Sequence, residues 1–264
     1  MPLADLGDMT LEYKDRGDGP PLIGVMGFAL DQRFWGAQIP AITPTHRFIT
    51  FDNRGIGGST GDMVSSIDQM AHDTIRLMDH LAIDKAVIMG ASMGGTIAQR
   101  IVLDHPERVS ALILALTLAR PIEFMRRQHE LGKLVAQVGG NEALMRASLV
   151  RMFTPRFFEM GAEAVDLVTK AFLEGGPELP SPDLLTAQID ALEKHDALAD
   201  LGRIDVPTLV IGAKFDQMVP YLGSEEIAAA IPGAEFASFE SGHGVMVEEM
   251  QAFNDRLAQF LQNL

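Results

Sequence analysis

Cysteine is missing from all 264 residues, and its absence removes a disulfide framework, a thiolate metal site and a cysteine nucleophile together. Basic residues are few: 21 Lys and Arg stand against 36 Asp and Glu, a formal charge of −15. So acidic a chain repels nucleic-acid backbones and anionic membrane surfaces, and the expected partner is a small, neutral or apolar molecule. No apolar run approaches the roughly 18 residues of a membrane span. The opening segment MPLADLGDMTLEY carries Asp5 and Asp8 where an export signal has basic residues, so a soluble, cytoplasmic protein is expected. No repeat of fixed period and no low-complexity tract is visible. No pair of histidines has metal-ligand spacing with a third ligand at hand, so neither metal nor cofactor is expected.

What is present is 47% hydrophobic, enough for one large domain or a domain with an inserted subdomain. Short apolar runs alternate with longer segments of helical period, the signature of β-α-β units and a mostly parallel sheet with helices on both faces. The runs are Leu22 to Met26, Phe48 to Phe51, Ala86 to Met89, Val109 to Leu116, Thr208 to Ile211 and Glu235 to Phe239. Between the second and third, Ile67, Met70, Ala71, Thr74, Ile75, Met78 and Leu81 recur at three- and four-residue spacing. That predicts an amphipathic helix, with Ser66 and Gln69 as a capping box at its start. From Ala119 to Arg203 the pattern is helical alone, interrupted by glycine pairs at Gly139 and Gly175 and by Pro177, Pro180 and Pro182. Residues 1–118 and 204–264 are therefore expected to form one core domain. Residues 119–203 are expected to form a helical cap over the sheet edge where ligands bind. A separate C-terminal domain is the alternative, and the strand signal returning at VPTLVIGA argues against it.

The stretch VIMGASMGGTIAQ, Val87 to Gln99, places a serine between glycines where an apolar strand runs into a helix. Gly90-Ala91-Ser92-Met93-Gly94 fits the G-x-S-x-G turn that holds a nucleophilic serine at the top of a sheet. Side chains at the two glycines would collide with the neighbouring strand and helix. The helix beginning at Met93 then points its first amides at negative charge formed beside the serine. A glycine-rich turn that only packs a helix on a strand would give the same string, so the chemistry requires a base and an acid further on, in the order Ser, Asp or Glu, His.

Of the seven histidines, His46, His72, His80 and His105 fit solvated or capping roles, and His129 and His195 fall in the cap at expected surface positions. His243 differs. It follows the last strand in FESGHGVMVEE, flanked by Gly242 and Gly244, in a loop able to reach Ser92. The acid expected is Asp216, just past the strand Thr208 to Ile211 in VIGAKFDQMVP. Its carboxylate would fix the imidazole tautomer and stabilise the imidazolium. The alternatives are that Asp216 only caps the following helix, or that Glu248 or Glu249, which follow His243, serve instead. A second oxyanion donor is expected from VMGFALDQRFW, where Gly27 permits a turn and the amide of Phe28 would join that of Met93.

Taken together, the segments MGFALDQRFW, FDNRGIGGST, GASMGG, DHPERV, GAKFDQMVP and SGHGVMVEE occur in the order found in the α/β-hydrolase superfamily, which the chain resembles from Leu11 to Phe260. Within it the chain looks most like small bacterial non-haem bromoperoxidase-like and esterase-type serine hydrolases, and is similar to enol-lactonases and polyketide methylesterases. The resemblance implies the α/β-hydrolase fold: a mostly parallel central sheet with helices on both faces and an inserted helical cap. It also implies that Asp52, Arg54 and Gly55 form a structural loop. Members commonly carry a histidine just before the oxyanion-loop glycine. This chain has Met26 there, so different anchoring of that loop is expected.

Met26, Met93, Met218 and Met246 crowd the expected site in sequence, and flexible thioethers suit a pocket for irregular apolar groups. Pocket lining is expected from Phe28, Trp35, Met218 and Met246. For Met125, Met145, Met152, Phe153 and Phe157 of the cap, core packing and pocket lining are both open. Arg120, Arg126 and Arg127 could attract a carboxylate at the cap entrance or form a solvated helix face. The expected function is hydrolysis of a carboxylic ester, or a lactone, with a mainly apolar acyl group through an acyl-enzyme on Ser92. Peroxide in place of water would make it a perhydrolase. The same His243-Asp216 dyad would also serve carbon-acid chemistry in a lyase or cofactor-free dioxygenase, and a non-catalytic ligand receptor could keep all three residues. A serine in the turn disfavours the halide-displacing chemistry of an aspartate nucleophile.

Overall fold

The alternation of apolar runs with helical periods resolves, in a computed structural model describing residues 2–173 and 180–264, into an eight-stranded sheet flanked by helices. Its strands are β1 (Leu3–Asp5), β2 (Thr10–Arg16), β3 (Pro21–Val25), β4 (Arg47–Phe51), β5 (Ala86–Ala91), β6 (Val109–Ala115), β7 (Thr208–Ala213) and β8 (Glu235–Phe239). They lie in the order β1-β2-β4-β3-β5-β6-β7-β8. From β4 to β8 every pairing is parallel, and β1 and β2 are added antiparallel at one edge. The sequence reading missed those two strands. In β2 the run TLEYKDR is half-buried with charged residues, so it never makes the continuous apolar run that marks a strand covered on both faces.

Period-two alternation splits each central strand between two apolar layers. Ile23, Ile49, Ile88 and Leu112 face the helices Ile67–His80 and Met93–Asp104. Leu22, Phe48, Val87 and Ile113 face Trp35, Ile42 and the C-terminal helix Met250–Gln262 through Phe253, Leu257 and Phe260. The helix Ile67–His80 starts where the sequence places it. The Ser66 hydroxyl accepts from the Gln69 amide, while the Gln69 side chain reaches back to Ser65 rather than Ser66, one residue off the capping box.

Between β6 and β7 the described residues hold no strand. Glu123–Met152 is broken at Gly140, whose φ of 73° and ψ of −176° leave the helical region. Pro155–Phe158, Ala162–Leu173 and Pro182–Lys194 follow. The expected break at Gly175 and Pro177 lies outside the described residues. Leu144, Met145, Leu149, Met152, Phe153 and Leu185 give this segment its own apolar cluster, which touches the sheet domain at Ala29. No described helix is long and apolar enough to cross a membrane.

The strand order fixes where a cleft opens. From β3 the chain leaves toward β4 on one side, and from β5 toward β6 on the other. The loops at the carboxyl ends of these two neighbours diverge, and ligands of open α/β sheets bind in the crevice such a divergence leaves. The loop after β3 is Met26 to Phe28, and the residue after β5 is Ser92.

Candidate active site

Ser92 has φ 54° and ψ −121°, a left-handed conformation that costs an L-residue of order 1–3 kcal/mol and persists only where the surroundings impose it. They do so here. The Ser92 amide donates to the Ala115 carbonyl at 2.9 Å, and its own carbonyl accepts from Gly95 at 2.9 Å. A methyl group on Gly90 would run into the Gly94 carbonyl, one on Gly94 into the Val25 carbonyl, and one on Gly95 into the Thr117 side chain. The glycines let the helix Met93–Asp104 lie directly against β3 and β6, and that close approach sharpens the turn. Ala29 (φ 61°) and Leu116 (φ 55°), which also flank the site, likewise have positive φ.

Asp216 and His243 come together from the loops after β7 and β8. His243 Nδ1 and Asp216 Oδ2 are 2.7 Å apart, with the side chains 9% and 1% exposed. The other Asp216 oxygen accepts from the Met218 and Val219 amides, both at 2.8 Å. With three contacts used, the carboxylate is held in a fixed orientation. His243 lines a cavity with Ser92, whose hydroxyl bonds none of the described residues. Serine–histidine hydrogen bonds are often formed only when substrate closes the site.

The loop carrying His243 is clamped by Glu248. Its carboxylate accepts from the Ser241 hydroxyl (2.8 Å), the Gly242 amide (3.0 Å), and the amide (2.9 Å) and hydroxyl of Thr154. A methyl on Gly242 would stand 2.5 Å from the Met152 carbonyl, and one on Gly244 would enter the Phe153 ring. The flanking glycines therefore seat this loop against the helical segment. Glu248, weighed from sequence only as an alternative acid, is a clamp.

The loop of Phe28 approaches the serine closely: a methyl on Gly27 would lie 3.0 Å from Ser92 Cβ. Neither the Phe28 nor the Met93 amide donates to an acceptor among the described residues. In place of the family histidine, Asn53 donates to the Met26 carbonyl at 2.9 Å. The Gln188 carbonyl oxygen, from the helix Pro182–Lys194, accepts from the Ala29 amide at 3.0 Å. Asp52 supports the same region by accepting from the Gln32 (2.8 Å) and Gly58 (3.2 Å) amides, and burial pushes its carboxyl from an ordinary 3.8 up to about 6. Arg54 forms a buried pair with Asp73 at 2.7 Å.

One cavity at Ser92, about 790 Å³ of open space, is walled mainly by Phe28, Leu30, Met145, Met152, Met218 and Met246 and reaches His243. Another, about 570 Å³, extends from Ser92 and Phe28 beneath the helical segment to Gln128, His129, Ser148 and Arg151.

Several expectations are corrected. Trp35 does not line the pocket: it is fully buried against Phe48, with ring centroids 6.2 Å apart, because its side chain fills the space above Gly24 on the far face of the sheet. His129 and His195 are not surface residues. Both line a third recess beside Ser92, where His129 Nδ1 lies 3.2 Å from Glu193 and burial pulls His195 from 6.5 down to about 4. His46 is buried, its Nδ1 2.9 Å from the Thr45 hydroxyl. Of the arginines for which two readings were open, Arg120 pairs with Glu226 at 2.8 Å and Arg127, as on a charged helix face, with Glu123 and Glu130.

A family model described as the alpha/beta hydrolase fold matches residues 20–249. Among curated relatives, a protein of Azorhizobium caulinodans named as the carbamate hydrolase RutD is 32% identical over 98% of each chain. Among solved structures, the enol-lactonase from Burkholderia xenovorans LB400 superposes with a TM-score of 0.90 at 26% identity, covering 99% of this chain and all of its own. A Mycobacterium tuberculosis protein named as the non-haem bromoperoxidase BpoC gives 0.86 at 29% identity over 96% of each.

Proposed function

The chain belongs to the alpha/beta hydrolase fold family, and from that premise we propose that it is a serine hydrolase cleaving carboxylic esters or lactones of small to medium apolar substrates. The observation that carries the reading is the Asp216–His243 pair, 2.7 Å apart and opening onto one cavity with the strained Ser92. Asp216 holds a proton on His243 Nδ1, leaving Nε2 unprotonated and able to accept. Nε2 takes the Ser92 proton as Oγ attacks the substrate carbonyl, and the carbonyl electron pair moves to oxygen. The unpaired amides of Phe28 and Met93 receive that oxyanion, each donor contributing about 3 kcal/mol in the transition state. When the tetrahedral intermediate collapses, the imidazolium gives its proton to the leaving oxygen and the acyl-enzyme remains. Water then enters, gives its proton to Nε2, attacks the acyl carbon and restores Ser92. Hydrogen peroxide in the same place would release a peracid instead, as a side reaction. Residues 119–203 serve as the cap, since Met145, Met152 and Phe153 of that segment wall the cavity.

Carbamate cleavage is the second reading, favoured by the name of the Azorhizobium caulinodans relative. The same acyl transfer would run through a carbamoyl-serine. Initial rates on matched ester, lactone and carbamate series, in wild type and Ser92→Ala, decide among these. Turnover of esters or lactones that falls at least 10³-fold in the variant supports the proposal. Turnover confined to carbamates selects the second reading. Activity surviving Ser92→Ala refutes both and points to carbon-acid chemistry on the dyad.

A further inference from the structure

We propose that this hydrolase takes substrates whose acyl chain ends in a carboxylate, with Arg151 as the residue that binds it. The inference rests on the hydrolase reading and narrows its substrates to those whose otherwise apolar acyl chain carries a terminal carboxylate.

Among the described residues, Arg120 and Arg151 line recesses around Ser92, and their surroundings differ. Arg120 is neutralised by Glu226. Arg151 is half-buried on the helix Glu123–Met152 and has no carboxylate partner among the described residues. Its Nε reaches the Ala147 carbonyl at a long 3.4 Å, and Nη1 is held by the side-chain oxygen of Gln128. Gln128 is itself tied by its amide group to the Gln217 carbonyl at 2.8 Å. Among the described residues, Nη2 has no acceptor and no Asp or Glu lines the cavity Arg151 borders. Burial without a compensating anion holds the guanidinium below its ordinary range. A desolvated cation positioned in this way gains most from a planar anion meeting its fork.

Geometry also sets which half of the substrate carries that anion. His243 must hand its proton to the leaving oxygen, so the leaving group lies in the cavity His243 lines, whose walls are apolar. The cavity of Arg151 contains Ser92 and Phe28 but not His243, and it receives the acyl chain. On a chain of net charge −15, long-range attraction does not draw an anion in. A local cation at the pocket is what admits it.

Monobenzyl esters of glutaric, adipic and pimelic acid, each compared with its benzyl methyl diester, test this. The expected wild-type preference in kcat/KM is about ten- to a hundred-fold for the monoanion, the range of a charge-assisted hydrogen bond. It should fall to about three-fold or less in Arg151→Met, with Arg151→Lys between. Esters carrying the carboxylate on the alcohol should show no such preference. Calorimetric binding of free adipate to wild type, Ser92→Ala and Arg151→Met reports on Arg151 without turnover. Adipate binding that needs Arg151 in a protein hydrolysing no ester would sink the hydrolase reading and keep the anion site. Equal or faster cleavage of the diesters by wild type, or adipate binding unaffected by Arg151→Met, overturns the proposal.

Discussion

Replacing Asp216 by Asn separates the two things its carboxylate does. One oxygen accepts from the Met218 and Val219 amides at 2.8 Å each, and the other faces His243 Nδ1 at 2.7 Å. An asparagine keeps the first task by turning its carbonyl oxygen to the amides. Its NH₂ then meets Nδ1 and donates, forcing the ring proton onto Nε2, where a serine proton can no longer be accepted. The expected loss is about 10⁴-fold in kcat, close to 5.5 kcal/mol of transition-state stabilisation at about 1.4 kcal/mol per decade. Folding should change little. Asp216→Ala, by contrast, strands two part-buried amides at up to about 1–3 kcal/mol each and should lower the thermal midpoint as well as activity. The assay is ester turnover with thermal unfolding on both variants, and ¹⁵N chemical shifts of His243 to read the tautomer. An Asp216→Asn protein within about ten-fold of wild type would refute the role given to Asp216. So would one that loses activity with the proton still on Nδ1.

Gly244→Ala drives a methyl into Phe153, which is buried and stacked on Phe157 at 4.1 Å. Overpacking of this kind costs about 1–3 kcal/mol, and because the displaced loop carries His243, ester turnover should fall more steeply than the urea midpoint. Glu248→Gln weakens the clamp on Ser241, Gly242 and Thr154, so kcat should drop about ten-fold or more with little change in KM. An unchanged kcat would show that His243 is held by the glycines alone. Asp73→Asn leaves the buried Arg54 guanidinium unpaired, at a cost of about 3–5 kcal/mol, measurable by urea unfolding. For pH, the folded Asp52 carboxyl titrates near 6 against 3.8 when free. The native state thus holds the extra proton between those values, and stability falls by about 3 kcal/mol as pH rises from about 4 to 6. His195, held near 4 against 6.5, has the opposite sign, so stability rises through the same window. The wild-type curve should be nearly flat there, and Asp52→Asn should expose the rising limb.

The core of the fold was legible because strands covered on both faces must be apolar throughout, and β3 to β7 are written that way. Strand β2, next to the short edge strand β1, was not, since its partly exposed faces let Glu12, Lys14, Asp15 and Arg16 interrupt it. At the site, a covalent logic made Ser92, Asp216 and His243 visible: a strained turn needs glycines, and a base needs an acid in reach of both. What holds those residues was hidden. Gln188 and Asn53 brace the loop from Met26 to Ala29 through side-chain contacts with no periodic signature, from segments 159 and 27 residues away. Trp35 was misplaced because an aromatic near Phe28 in sequence points, two turns later, through to the opposite face of the sheet. His129, His195 and Arg151 depend on how helices of the segment 119–203 pack over the sheet, and amphipathic spacing leaves that orientation open.

The central claim is covalent, and trapping the acyl-enzyme tests it most directly. Wild type, Ser92→Ala and His243→Ala would be mixed with an activated ester, quenched in acid within milliseconds to seconds, digested and weighed by mass spectrometry. The account predicts the acyl mass on the peptide containing Ser92 in wild type, lost on washing out substrate at neutral pH, and absent from Ser92→Ala. An acyl group on any other residue, or ester turnover in Ser92→Ala at the wild-type rate, would contradict it.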